Sequence, residues 1–165
     1  MALNQVVKGN QLYCATNSAV FSVSSNNSIT RYSKVTGLND LFVSAIGWDD
    51  DSQQLLIAYN NSNLDVLKGS IVKNIGDIKR SSIAGNKTIN SIYCKNGLAY
   101  LGTGLGIVIA DLNKYEIKDT WFIGTNAAQI NVTAITSDAN YFYAATSEGL
   151  KKAAILSPNL SNPNS

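Results

Sequence analysis

The sequence contains no histidine, and this absence excludes the most common active-site chemistries. The histidine count is zero in a chain of 165 residues. Ser-His-Asp triads, Cys-His pairs and the usual zinc sites all require an imidazole, which is also the side chain that most often transfers protons near neutral pH. Carboxylates, lysines and tyrosines remain, but no nucleophile and base stand out among them. We therefore expect a protein that is not an enzyme and that uses neither a cofactor nor a metal ion.

Cysteine is almost as scarce. Cys14 and Cys94 are the only two cysteines, and they form no C-x-x-C pair. Two thiols are too few for the disulfide framework of a small secreted scaffold. Each lies within an apolar run, so we predict two buried free thiols that behave as small hydrophobic side chains.

Charge is low, and long hydrophobic runs are missing. Charged residues make up 15% of the chain, and 13 basic against 11 acidic residues leave a net charge of +2. This field is too weak to indicate nucleic acid or an acidic membrane as a partner. No run approaches the ~18 apolar residues of a membrane span, and residues 1–10 lack the apolar core of a signal peptide. We expect one domain without a membrane span, whose surface is mainly Asn, Ser and Thr.

What the sequence does contain is a series of short strand signals. Runs of Val, Ile, Tyr, Phe and Thr alternate with clusters of Asn, Gly, Asp and Ser, and no helical period persists over three turns. Asn96-Gly97, between two apolar runs, predicts a tight hairpin. The clearest predicted strands are residues 11–16, 54–59, 98–103 and 141–146.

These strands repeat along the chain. Tyr13, Leu56, Tyr100 and Tyr143 occupy one position at intervals of 43, 44 and 43 residues, and a small residue follows two positions later each time. A threonine comes next in three of the four units, where Tyr59 is the exception. A repeat of about 40 to 45 residues with four short strands is typical of propeller blades.

The repeat predicts an all-β fold of β-propeller repeats with about four four-stranded blades. The predicted domain spans residues 1–156 and is followed by a polar tail at residues 157–165. Its units are residues 4–36, 41–88, 89–129 and 130–156. The last unit lacks its outer strand and leaves an edge open. The chain then closes as a four-bladed ring, self-associates through that edge, or forms part of a larger propeller, which is the alternative we favour.

Three conspicuous motifs have structural explanations. The GTGLG sequence at residues 102–106 is followed by a strand rather than a helix, which favours a turn over a phosphate-binding loop. The three aspartates at residues 49–51 lack the calcium-loop spacing and coincide with a predicted turn, although weak cation binding is an alternative. Trp48 and Trp121 are assigned to packing within or between blades, with a stacking platform as the alternative.

The predicted binding residues lie on one face of the propeller. In a four-stranded blade, the connection to the next blade and the turn between the second and third strands emerge on the same face. Long connections on rigid sheets commonly carry binding residues. This face is rich in Asn, Thr, Gln and Lys, which suits a hydroxyl-rich ligand or a polar protein surface. The candidate binding residues are Asp40, Asn61, Asp77, Lys79, Arg80, Lys87, Gln129 and Glu148.

The repeat resembles two propeller families. It is similar to the blade of two-component-regulator propellers at residues 132–135 (VTAI), 141–146 and 149–150. A closer resemblance, to the N-terminal propeller of PorZ-type proteins, is carried by residues 11–21 (QLYCATNSAVF), 37–40 (GLND), 43–46 (VSAI) and 77–80 (DIKR). The PorZ resemblance covers residues 5–157. The propellers of that family have more than four blades and a signal peptide, and this sequence departs from both features.

The PorZ resemblance implies a function and a location. Proteins of that type belong to the type IX secretion machinery of Bacteroidetes and act at the outer-membrane surface, in the complex that attaches cargo to lipopolysaccharide. We therefore expect a non-catalytic module that presents loops to protein partners, or to lipopolysaccharide or another glycan, at the cell surface. One alternative is the periplasmic ligand-sensing propeller of a hybrid two-component regulator. A second is a propeller polysaccharide lyase, which would need a base at the central channel.

Overall fold

The computed structural model describes residues 4–157, and fifteen antiparallel strands form four sheets in this part of the chain. Sheet 1 contains β1 (Asn4–Lys8), β2 (Gln11–Ala15), β3 (Val20–Ser24) and β4 (Ile29–Tyr32). Sheet 2 contains β5 (Val43–Asp49), β6 (Gln54–Tyr59), β7 (Leu64–Lys68) and β8 (Ile71–Ile75). Sheet 3 contains β9 (Ile89–Lys95), β10 (Leu98–Thr103), β11 (Ile107–Asp111) and β12 (Glu116–Trp121). Sheet 4 has only β13 (Val132–Ser137), β14 (Tyr141–Thr146) and β15 (Gly149–Ala154).

This architecture confirms the all-β propeller prediction. Within each sheet every strand pairs with the next one along the chain, as in a propeller blade. The missing fourth strand of the last sheet is also confirmed for the described residues. The predicted polar tail at residues 157–165 lies, except for Ser157, outside the residues that the structure describes.

The short helical elements are what the sequence did not reveal. One turn of α-helix, α1, spans Asp77–Arg80 in the connection between sheets 2 and 3. Single 3-10 turns lie at Lys34–Thr36 and Thr125–Ala127 in the other two connections. A periodic pattern needs several turns to become visible, so segments of three or four residues leave no such trace.

The repeated threonine has a local structural role. The Oγ1 atoms of Thr16, Thr103 and Thr146 each donate to the carbonyl three residues later, at 3.1, 3.0 and 2.7 Å. Each Oγ1 also accepts from a backbone N–H within the same turn. Hydroxyl side chains stabilise turns in this way. The GTGLG motif of residues 102–106 is therefore the turn between β10 and β11, as predicted.

The other turns follow from local backbone preferences. Asn96 and Gly97 both have positive φ, of 54° and 71°, as the predicted hairpin between β9 and β10 requires. The aspartate run of residues 49–51 lies at the predicted turn between β5 and β6, where Asp49 accepts a bond from the Ser52 N–H at 3.0 Å. Gly106 has φ +137°, and a Cβ there would lie 2.2 Å from the Trp121 carbonyl oxygen.

The hydrophobic core consists of three clusters, each between two consecutive sheets. One joins sheets 1 and 2 around Tyr13, Leu55 and Ile57, and another joins sheets 2 and 3 around Leu56 and Leu101. The third joins sheets 3 and 4 and includes Tyr100, Ile109, Phe142 and Ala144. Burying each large apolar side chain contributes roughly 1.5–3 kcal/mol, so the sheets hold one another in place.

Both tryptophans belong to these contacts between sheets. The Trp48 ring stacks on Tyr13 of sheet 1 with centroids 5.5 Å apart. The Trp121 ring lies 5.7 Å from Tyr100 and 6.4 Å from Phe142 of sheet 4. Packing is therefore confirmed as the role of each tryptophan in this fold.

The array is open at both ends within residues 4–157. None of the three core clusters joins sheet 4 to sheet 1. Sheet 1 presents an apolar row across all four strands on its outward side, formed by Val7, Leu12, Val23 and Ile29. Its counterpart in sheet 2, formed by Trp48, Leu55, Leu67 and Val72, packs against sheet 1 instead. The described chain is thus a partial propeller and not a closed four-bladed ring.

The cysteine prediction needs a correction. Both thiols are free, as predicted, but they are only partly buried. Cys14 lies on the outward side of sheet 1, because Tyr13 and Ala15 on either side of it face sheet 2 and side chains alternate along a strand. Its register partner Phe21 is likewise absent from the core facing sheet 2. Cys94 packs against the cluster between sheets 2 and 3. An apolar run marks a strand but does not say whether a neighbouring sheet covers both of its sides.

We expect alkali to destabilise the fold through Cys94. Burial raises the pKa of this thiol to about 12 from an ordinary 9.0, and the nearby charges of Asp49 and Asp50 act in the same direction. The folded state therefore holds the thiol proton more tightly than the unfolded state does. The stability that this difference contributes is fully present below pH 9 and is lost as the pH rises from 9 to 12. The slope contributed is at most about 1.4 kcal/mol per pH unit.

Urea unfolding at pH 8 to 10 tests this expectation. Cys94→Ala should flatten the loss of stability between pH 9 and 10. The control Val108→Ala shortens a side chain of the same cluster without removing an ionisable group, so it should keep the wild-type slope. An unchanged slope in Cys94→Ala would contradict the assignment.

Candidate functional site

The predicted loop face is assembled in the structure. Side chains from the connections between sheets contact the turns between second and third strands, as the parity of the blades requires. Lys79 and Asp40, from two different connections, form an ion pair at 2.9 Å. Thr125 donates to Glu148 at 3.1 Å, and Gln129 donates to the Ala84 carbonyl at 2.8 Å. We call this surface, formed by residues 33–42, 60–63, 76–88, 104–105, 124–131 and 147–148, the loop face.

Asp40 is the centre of the largest polar cluster on the loop face. Its Oδ2 accepts from Asn63 Nδ2 and from Lys79 Nζ, both at 2.9 Å. Asn61 also donates to this carboxylate. Partial burial by itself would raise the pKa of Asp40, but the bonds from Lys79 and the two amides outweigh it and hold the pKa below its ordinary value. Asp40 is therefore an ionised acceptor at neutral pH, held by three donors.

A fully buried carboxylate beneath this cluster fixes the connection from sheet 1 to sheet 2. Asp65, on β7, accepts from the Asn39 N–H and Asn39 Nδ2, each at 2.8 Å. It also accepts from Tyr59 Oη at 2.6 Å and from Asn74 Nδ2 at 2.8 Å. These bonds tie residue 39 to sheet 2 and so position Asp40 directly after it. Such a satisfied polar network makes a segment rigid.

The helical turn α1 carries three of the predicted residues. Its Lys79 reaches Asp40, whereas Arg80 pairs with Asp77 of the same turn at 2.8 Å. Lys87 folds back to the Ser81 carbonyl at 2.8 Å and closes the end of this connection. Lys79 is thus the residue of this group that joins the Asp40 cluster, and Asp77, Arg80 and Lys87 shape the connection itself.

Gln129 and Glu148 lie further along the loop face, between sheets 3 and 4. Gln129 bonds the backbone of the preceding connection. Glu148 forms an ion pair with Lys151 at 2.9 Å, and this bond, helped by Thr125, holds the pKa of Glu148 below its ordinary value. The eight predicted residues therefore share one face but do not form one site. Asn61 and Lys79 both bond Asp40, and Arg80 pairs with Asp77, whereas the contacts of Lys87, Gln129 and Glu148 are with other residues.

The sequence did not point to a surface cavity on the loop face, between sheets 1 and 2. The cavity has a volume of about 310 Å³. Phe42 is its most unusual wall, because the ring is 59% exposed and the backbone has φ +61°. Positive φ is a true outlier for a bulky residue, and such strain costs about 1–3 kcal/mol. The sequence shows two consecutive apolar residues, Leu41 and Phe42, directly before β5, but it does not show the backbone strain. The lining residues are Lys34, Asp40, Leu41, Phe42, Asn60 and Asn61.

The geometry of the loop face suits binding rather than proton transfer. Asp40 and Glu148 have lowered pKa values, opposite to those of a general acid that works near neutral pH. Within residues 4–157, no three His, Cys, Asp or Glu side chains come together as metal ligands. Over the same range, no helix is long and apolar enough to cross a bilayer.

Comparison with known families and structures gives a consistent result. Residues 12–165 match the family described as the type IX secretion system (TSS9) PorZ N-terminal β-propeller domain. Comparison with curated protein sequences finds no significant match. A solved structure of PorZ, described as an essential bacterial surface component of the type IX secretion system of Porphyromonas gingivalis, superposes with a TM-score of 0.82. The two are 23% identical over 99% of this chain and 22% of that chain.

Two structures of one bacterial extracellular domain share the fold. Both are of the extracellular domain of BT4673 from B. thetaiotaomicron, described in one case as a hybrid two component system and in the other as a one component system. The first has a TM-score of 0.73 at 16% identity and covers 94% of this chain and 21% of that chain. The second has a TM-score of 0.71 at 19% identity and covers 93% of this chain and 22% of that chain. This chain therefore spans about a fifth of each solved protein.

Proposed function

The chain belongs to the family of PorZ N-terminal β-propeller domains, and from this membership we propose that it is a non-catalytic scaffold and binding module of a type IX secretion and attachment complex. Its place of action is the bacterial cell surface, at the extracellular side of the outer membrane. Its partners are other proteins of that complex, which the loop face engages. The family match carries this proposal, and the likeness to the surface component of P. gingivalis supports it.

The loop face supports a scaffold function for a physical reason. Its exposed side chains rest on connections that are fixed by buried groups, as Asn39 is by Asp65. A rigid surface loses little conformational entropy when a partner binds. The residues we propose for contact are those predicted from the sequence: Asp40, Asn61, Asp77, Lys79, Arg80, Lys87, Gln129 and Glu148.

The open ends support a second element of the proposal, that further propeller sheets cover sheets 1 and 4. The apolar row of sheet 1 repeats a row that is buried in sheet 2. Leu150 on the outward side of sheet 4 is 74% exposed. Repeats of this kind bury such sides only against neighbours. Association with a second copy through the same surfaces is the alternative.

Reversing two charges on the loop face tests the scaffold proposal. We expect Arg80→Glu combined with Glu148→Lys, placed in the gene of the source bacterium, to reduce surface-attached cargo about 10-fold, as loss of about 1.4 kcal/mol of binding would. The matched control, Lys68→Glu combined with Glu116→Lys, also leaves the net charge unchanged, lies at turns at the opposite ends of the strands and should leave cargo within twofold. Exposed ion pairs contribute little to stability, so both proteins should melt as the wild type does. Equal attachment in both strains would contradict the proposal.

A ligand-sensing extracellular domain of a two-component regulator is the second candidate. The superposition on the BT4673 extracellular domain at a TM-score of 0.73 favours it. A sensor predicts that the charge reversal alters transcription and leaves cargo attachment intact. Measuring both readouts in the same strains distinguishes the two functions.

A further inference from the structure

The cavity between sheets 1 and 2 combines an apolar wall with unpaired polar groups. Leu41 and Phe42 are exposed side by side, at 43% and 59%. The backbone of Phe42 is left-handed, with φ +61°. Glycine adopts this conformation without strain, but a bulky residue such as phenylalanine is strained in it. The Asn60 N–H bonds to the Phe42 carbonyl at 2.9 Å and holds this conformation in place. Backbone strain that the surrounding structure maintains commonly marks a functional position.

The polar rim of the cavity divides into occupied and available groups. The Asp40 carboxylate is occupied by Lys79, Asn63 and Asn61. Within the described part of the chain, the Lys34 ammonium and the Asn60 side-chain amide take part in no hydrogen bond or ion pair. Both line the cavity. The unpaired charge at the cavity is therefore the positive charge of Lys34.

We infer that this cavity binds an extended peptide segment of a partner protein, through a large apolar side chain followed by a carboxylate. The apolar side chain lies against Leu41 and Phe42, the carboxylate pairs with Lys34, and the Asn60 amide bonds the peptide backbone. This inference deepens the proposed scaffold function, on which it rests, by naming the chemistry of the partner. A volume of about 310 Å³ is within the range of small ligand sites.

A hydroxyl-rich glycan fits the cavity less well than a peptide. A sugar needs several free donors and acceptors that converge on its hydroxyl groups, and the Asp40 carboxylate already accepts from Lys79, Asn63 and Asn61. Only Phe42 among the lining residues offers an aromatic face. An ammonium beside two apolar side chains is instead complementary to an anion beside an apolar group.

Short blocked peptides test the inference on the full 165-residue chain. The probes are acetyl-Gly-Phe-Glu-Gly-amide, its counterpart with Gln for Glu, and its counterpart with Ala for Phe. In titrations followed by amide chemical shifts, we expect the first peptide to perturb residues 34–42 and 60–61. Each counterpart should bind at least about threefold more weakly, because each loses one contact.

Two variants separate binding from folding. Phe42→Gly should abolish the shifts while the melting temperature stays equal or rises, since glycine adopts positive φ without strain. Lys34→Gln should remove the preference for Glu over Gln. Ile71→Ser is the control and should bind as the wild type does. Ile71 is an exposed apolar residue at the end of the sheet 2 strands that lies away from the loop face.

The outcomes distinguish this inference from the scaffold proposal. Shifts outside residues 34–42 and 60–61, or binding that Phe42→Gly leaves intact, would overturn the inference alone. So would an oligosaccharide that perturbs these residues when no peptide does. The charge-reversal strains do not alter the cavity, so cargo attachment that is indifferent to loop-face charge would overturn the scaffold proposal independently.

Discussion

Replacing Asp65 by leucine is expected to lower the free energy of unfolding by about 2–3 kcal/mol. Leucine has the branching of aspartate and leaves no cavity, so the loss comes from missing hydrogen bonds and from the larger size of its methyl groups. The fully buried Tyr59 hydroxyl would lose its acceptor, and Asn39 would lose both bonds that tie it to β7. Asn74 would keep its bonds to Asn63 and to the Leu64 carbonyl. A domain of this size is stable by about 5–15 kcal/mol, so the change consumes a large fraction of that margin.

Smaller changes at the same network provide the controls. Tyr59→Phe removes one donor and leaves the carboxylate with three others, so we expect a loss of about 1–2 kcal/mol. Asp40→Asn, at a half-buried position of the same connection, should cost less than about 1 kcal/mol, because the amide oxygen can still accept from the same donors. Urea unfolding followed by the fluorescence of Trp48 and Trp121 measures all three variants. A loss in Asp65→Leu no larger than in Asp40→Asn would show that Asp65 does not anchor the connection.

The role of Asp65 also shows where sequence reasoning ends. The repeat places residues 64–68 on a strand, and the sequence there, LDVLK, gives no sign that the aspartate is buried. Its partners are as far away as Asn39, 26 residues earlier in the chain. A periodic pattern reports which positions face a core, but a bonded network joins segments whose approach depends on the whole fold.

The loop face could be predicted because it depends on topology alone. The number of strands in a blade decides the side on which each connection emerges, and the repeat fixed that number. Hence residues as distant as Asp40 and Lys79 were correctly expected near one another. Phe42 was missed because its exposure and its backbone conformation depend on how residues 41–43 enter β5, which the repeat does not specify.

Because sheet 4 lies at an open end of the array, we expect different losses of stability at two tyrosines of the same repeat position, Tyr100 and Tyr143. Tyr100 is 8% exposed and contacts Phe142 of sheet 4 with centroids 4.9 Å apart. Tyr143 occupies the equivalent position in sheet 4 and is only half-buried, and its hydroxyl bonds Asp138 at 2.7 Å. Tyr100→Ala should therefore cost about 3–5 kcal/mol, the usual loss for a large aromatic side chain in a core. Tyr143→Ala should cost several-fold less, because it removes little more than the bond to Asp138.

The same pair of variants reports what covers sheet 4 when the protein is in solution. If the outward side of sheet 4 is free, the two losses differ by several-fold and neither depends on protein concentration. If a second copy covers it, Tyr143→Ala costs as much as Tyr100→Ala, and the urea midpoint of the wild type rises with concentration by mass action. Further sheets supplied by a longer chain would equalise the two losses only in that longer protein, without any dependence on concentration. Measuring both variants at two concentrations, in the 165-residue chain and in any longer form, therefore separates the three arrangements that an open propeller permits.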